Sequence, residues 1–119
     1  MDSALNLPPL NVPALLRAHG IRPNKNLGQN FLLDPLALEQ IVAAAEINPS
    51  DAVLEIGPGL GSLTRYLAAA ARRVVAVELD GSLIPILQEV LAGIHNVTIV
   101  HNDILKTNPV ELPCFHSSV

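Results

Sequence analysis

The sequence predicts an α/β fold with a parallel sheet, and three observations carry the prediction. Apolar segments of strand length, at 53–56, 74–80 and 96–100, alternate with segments of helical pattern. The first of these strands, V-L-E-I, runs directly into three closely spaced glycines and then a helix. Each strand also ends beside a residue suited to holding a ligand, namely Gly57, Glu78 and Asp103.

Taken in chain order, P-A-L-L-R-A-H-G from Pro13 to Gly20 reads as a short helix with Pro at its start and Gly at its end. The polar stretch R-P-N-K-N-L-G-Q-N-F-L at 22–32 bears Gly28 and closes on Phe31 and Leu32. Its composition fits an ordinary connector anchored by Phe31 better than a segment folded over a site. Asp34 and Pro35 open a second helix with Leu38, Ile41, Val42 and Ala45 on one face. After the first strand, Gly57, Gly59 and Gly61 allow a tight turn and close approach of backbone to a ligand. Ser62 to Ala71 then reads as the crossover helix, V-V-A-V-E-L-D as the second strand, Ser82 to Leu91 as the next helix with Pro85 in its first turn, and N-V-T-I-V as the third strand. Right-handed crossovers make such strands parallel and place the ligand crevice beyond their carboxyl ends.

Composition bounds the function. The chain has 119 residues, enough for one domain, and half are hydrophobic. With aromatics at only 3%, the core must rest on Leu, Ile, Val and Ala, as sandwiched parallel sheets do. The single cysteine, Cys114, excludes an intramolecular disulfide, and His19, His95, His101 and His116 lack zinc-like spacing. A metal pair of His101 with Asp103 is outweighed by ordinary surface polarity, so no metal is expected. Pro8, Pro9 and Pro13 interrupt any leader-like apolar run, and no stretch is apolar enough to span a membrane, so the expectation is a cytoplasmic protein without a membrane partner. The net charge of −4 argues against bulk nucleic-acid binding, yet residues 1–30 hold Arg17, Arg22 and Lys25 against Asp2 alone. A basic arm of that kind is compatible with a polyanionic substrate.

Glu78 follows Gly57 by about 20 residues, the spacing at which doubly wound folds put a carboxylate on a ribose hydroxyl. Dinucleotides and S-adenosylmethionine (SAM) are both bound this way, and three details favour SAM. Glu55, beside the crevice mouth, would repel a pyrophosphate and welcome a sulfonium or ammonium. The dinucleotide fingerprint G-x-G-x-x-G/A requires a small residue at 62, where this chain has Ser62 and the third glycine falls at 61. Asp103 can accept a hydrogen bond from an adenine amino group, although capping a turn before Ile104 and Leu105 is the competing role.

The motifs K-x-L-G-Q-N-F-L at 25–32, V-L-E-I-G-P-G-L-G-S-L-T at 53–64, V-A-V-E-L-D at 75–80 and N-D-I-L at 102–105 occur in order, and together they resemble the ribosomal RNA adenine N6,N6-dimethyltransferase family. The likeness spans about residue 15 to residue 107, and L-G-Q-N-F is its most specific part. It implies a Rossmann-like class I SAM-dependent methyltransferase domain of which the N-terminal helices and about three parallel strands are present. It also implies that the 22–32 segment belongs to the cofactor site, with Asn30 and Leu32 contacting SAM, Gly57, Gly59 and Gly61 under the methionine portion, Glu78 on the ribose and Asp103 on the adenine. The partner implied is ribosomal RNA in a precursor of the small ribosomal subunit; the oligomeric state is left open.

The resemblance divides the chain into an N-terminal helix and cofactor lid (1–33), a SAM-binding half-domain (34–107) and an atypical tail (108–119). Family members continue with a strand ending N-L/I-P-Y/F, whose Asn side chain and Pro carbonyl accept the hydrogens of the target amino group and whose aromatic ring stacks the base. Here the nearest match, E-L-P-C at 111–114, has Glu for Asn and no aromatic, so no catalytic residue is assigned and the chain alone is expected to be inactive. Truncation or a frame change in the gene would account for such a tail. Two alternatives follow: a non-catalytic RNA-binding, ribosome-assembly or transcription-factor relative of the same fold, and, more weakly, an NAD-dependent oxidoreductase.

Overall fold

The computed structural model describes residues 7–22, 34–106 and 108–112. Helix α1 (Val12–Ala18) is capped by Asn11, whose Oδ1 accepts from the Ala14 amide at 3.1 Å, and it carries Pro13 in its first turn. It ends ahead of Gly20, which takes a left-handed φ of 68°. Helix α2 (Pro35–Ala44) begins as expected at Asp34, whose carboxylate accepts from the Leu36 amide. Its buried stripe is narrower than the sequence suggests. Leu38 and Val42 are buried one turn apart, while Ile41 is 40% exposed and Ala45 lies in the exposed helix cap. A short helix leaning on one neighbour buries one line of side chains rather than a broad face.

Strands β1 (Ala52–Ile56), β2 (Arg73–Glu78) and β3 (Val97–His101) form a parallel sheet in the order β1-β2-β3. The central strand β2 buries Val74, Val75, Ala76 and Val77 in succession, the continuous apolar run that a strand covered on both faces requires. Helix α3 (Ser62–Ala70) crosses from β1 to β2 and packs with α2 over one face through Leu38, Val42, Tyr66, Leu67 and Val74. A second cluster joins α1 to the turn after β2 through Leu16, Leu60, Leu83 and Ile86, and a third sets Leu112 against Val75 and Val77.

The expected single helix over 82–91 is divided into a 3₁₀ turn (Gly81–Leu83) and helix α4 (Ile84–Val90). Pro85 fixes the boundary, because it can sit only in a first turn, where its missing amide is not needed. Asp80 caps the 3₁₀ turn by accepting from the Ser82 amide and hydroxyl at 2.9 and 2.6 Å. No helix among the described residues is long and apolar enough to cross a membrane.

One polar side chain closes the opposite end of the sheet. Asn96, just before β3, donates from Nδ2 to the carbonyls of Ala68, Ala71 and Arg72 at 2.9, 3.2 and 3.3 Å, tying the end of α3 to the entry of β3. Asn96→Asp removes the donor and faces a charge toward three carbonyls. It is expected to lower stability by about 2 kcal/mol, read as a reduced urea midpoint with unchanged slope.

Candidate functional site

The parallel register brings the strand ends together. Ile56 pairs with Val77 and Glu78 with His101, so Gly57, Glu78 and the segment after His101 share one edge of the sheet. The Gly57 amide donates to the Val77 carbonyl at 2.9 Å, which keeps the chain on β2 while it turns away from β1. Gly57, Gly59 and Gly61 have φ of 71°, 62° and 87°, a region that side chains other than glycine enter at a cost. A Cβ on Gly57 would meet nothing within 4 Å, so this glycine faces open space at the crevice. A Cβ on Gly61 would lie 3.3 Å from Leu87 Cδ2 and Val90 Cγ1, so at this left-handed position it would also crowd the packing of the turn on α4. Ser62 begins α3 with a buried hydroxyl that has no hydrogen-bond partner.

Glu78, the buried last residue of β2, is already engaged by backbone. Its Oε1 accepts from the Gly59 amide at 3.1 Å and its Oε2 from the Asp80 amide at 2.9 Å. Each carboxylate oxygen has two lone pairs, so these bonds orient the group and leave capacity for a ligand's hydroxyls. Beyond β3, Asp103 takes up the competing role considered from sequence: Oδ1 accepts from the Leu105 amide at 2.9 Å and caps the turn Ile104–Lys106. It remains at the shared edge. His101 turns its Nε2 to the Leu79 carbonyl at 3.2 Å, packed over Gly81. Among the described residues no group of three metal-ligating side chains forms. Asn30 and Leu32 lie outside the described residues, as does the rest of the 23–33 segment.

Glu55 differs from the expectation. It does not line an open mouth as a free anion but is buried beneath the glycine turn, accepting from the Thr64 hydroxyl at 2.5 Å. Strand alternation explains the placement, since Ile56 beside it points outward and is 58% exposed. Burial pushes the Glu55 pKa from the ordinary 4.5 to about 7, the Thr64 hydrogen bond opposes the rise, and the nearby Glu78 charge adds to it. Near neutral pH Glu55 is thus a partly protonated link between the end of β1 and the first turn of α3.

Sequence reasoning overlooked apolar side chains at this edge. Leu79 is 66% exposed and Leu105 91% exposed, and with Ile56 they present apolar surface where the strands end. Their positions carried a signal: Ile56 and Leu79 each follow a strand-end acid, and Leu105 lies just past Asp103.

The family model for ribosomal RNA adenine dimethylase matches residues 20–115. The ribosomal RNA small subunit methyltransferase A of Clostridium botulinum (strain ATCC 19397 / Type A) is 50% identical over 103 residues, covering 87% of this chain and 38% of the relative. The chain thus spans well under half the length of that curated relative. Among solved structures, the 23S rRNA methyltransferase ErmE superposes with a TM-score of 0.64 at 44% identity, over 67% of this chain and 33% of that one. A dimethyladenosine transferase from Plasmodium falciparum superposes with a TM-score of 0.60 at 34% identity, over 66% and 30%. The family match extends past residue 107, where the recognised motifs end, and it takes in Leu112 of the third core cluster.

Between pH 4.5 and 7 the folded chain holds a proton on Glu55 that the unfolded chain releases, so the contribution of this group to stability is greatest below pH 4.5, falls as pH rises to about 7, and is level above. Glu55→Gln removes that dependence. Relative to the parent, its unfolding free energy is expected to rise by about 1–3 kcal/mol from pH 4.5 to pH 8, measured by urea titration across the range.

Proposed function

The chain belongs to the ribosomal RNA adenine dimethylase family, and from that premise we propose that it is the SAM-binding portion of a methyltransferase acting on adenine N6 in small-subunit ribosomal RNA. The observation that carries the cofactor assignment is the Glu78 carboxylate, fixed at a strand end by the Gly59 and Asp80 amides beside the open face of Gly57. Such a group is oriented to accept hydrogen bonds from ribose hydroxyls, and the bare backbone at Gly57 leaves room for the methionine portion. Asp103 is assigned to the adenine amino group, and Leu79 and Leu105 offer the ring apolar contact. By family likeness Asn30 and Leu32 complete the cofactor contacts, in the segment 1–33 that is assigned to an N-terminal helix and a cofactor lid. Residues 34–107 form the cofactor-binding half-domain, and 108–119 form its tail.

When bound, the cofactor supplies a methyl group on a positively charged sulfur. The residues of this chain hold and orient that donor. Glu55 and Glu78 bring two carboxyl groups near a cationic ligand, which favours ionised Glu55. The acceptor needs separate help, because the lone pair of an adenine amino group is delocalised into the ring and must be freed by hydrogen-bond acceptors. The N-L/I-P-Y/F acceptor set is not found in these 119 residues, so donor binding and methyl transfer are separable in this chain.

Calorimetry should show binding of SAM and not of NAD. Glu78→Ala should weaken SAM binding by about 1–3 kcal/mol, the cost of removing an oriented acceptor. Binding of NAD without SAM would reverse the assignment in favour of an oxidoreductase. With labelled SAM and precursor small-subunit particles, the chain alone should transfer no methyl groups above background; turnover near that of a full-length relative would show that it supplies its own acceptor residues.

A further inference from the structure

A second polar site lies away from the strand ends. Arg65, near the start of α3, is 9% exposed and among the described residues has no carboxylate partner. Its Nη1 donates to the Pro8 carbonyl at 2.8 Å, while its Nε is buried and donates to nothing. Buried charges are normally paired, and a guanidinium binds oxyanions through two parallel N–H groups. Arg65 lines a groove of about 290 Å³ between α3 and the loop leading into β3, together with Ala68, Gly93, Ile94, His95 and Asn96. None of these residues belongs to the candidate cofactor site.

Charge favours a phosphate over a simple carboxylate. The lining of the groove carries Arg65 and His95 and no acid, in a chain whose net charge is −4. The groove also has apolar lining at Ala68 and Ile94, which suits the carbon skeleton of a phosphate ester.

We propose that this groove binds a phosphate group, with Arg65 as the principal ligand. Reorienting the side chain so that its Nε edge meets the phosphate would exchange an unsatisfied buried donor for a charge-assisted hydrogen bond. The proposal is independent of the SAM assignment. The phosphate group can belong to an RNA backbone or to a small phosphate compound, and the two sources share this chemistry.

The test uses the full 119-residue chain labelled with ¹⁵N, followed by NMR at constant ionic strength with inorganic phosphate as probe. The Arg65 Nε–H signal and the amides of Gly93 and Asn96 should shift together and saturate. Arg65→Gln should abolish the response of the two amides, and Arg65→Lys, which keeps the charge but loses the fork, should weaken it by roughly tenfold. If a short single-stranded RNA displaces phosphate, the ligand is a nucleic-acid backbone; if it does not, the ligand is a small phosphate, and the site stands either way. The proposal is overturned if no shift saturates, if chloride alone reproduces the shift, or if Arg65→Gln responds as the parent does.

Discussion

The constraint on which the rest of the structure depends is that a carboxylate ends the most buried strand. Strand β2 is covered on both faces, and its register leaves Glu78 at the point where that cover stops. A charge there must be satisfied, and the amides that satisfy it come from Gly59 and Asp80. Those two bonds fix the glycine turn on one side and the 3₁₀ turn on the other. The need to solvate one acid thereby shapes both loops that border the crevice.

The two glycines that matter most do so for different reasons. Gly57 gives a left-handed bend with empty space before it, and Gly61 gives a left-handed bend with α4 pressed against it. One leaves open space at the strand ends, and the other lets α4 pack closely on the turn. Glu55 and Thr64 close the same turn from below, with a buried carboxyl whose proton is held by its surroundings. Ionisation and stability meet at this turn, since the carboxyl that burial makes costly to ionise is also the one that ties the end of β1 to the first turn of α3.

Much of this was legible in the residues. The order of strands and helices, the cap at Asp34, the glycine turn and the alignment of Gly57, Glu78 and Asp103 at one edge follow from apolar runs, turn chemistry and the crossover rule. What was misjudged depended on neighbours distant in sequence. Ile41 matched the helical period of the core yet is exposed, because α2 leans on a single helix. Glu55 read as a mouth residue because nothing local says that Thr64 will cover it. Leu79 and Leu105 passed unnoticed because apolar residues next to strands are expected inside.

By itself the sequence determined the alternating parallel architecture, the family and the identity of the residues at the strand ends, because periodicity, capping and spacing are properties of a chain segment. Tertiary structure alone decided the ionisation of Glu55, the double engagement of Glu78, the division of labour between Gly57 and Gly61, and the unsatisfied Nε of Arg65. Each of these depends on how far water is excluded and which distant groups fill the space, and desolvation has no local signature in a sequence.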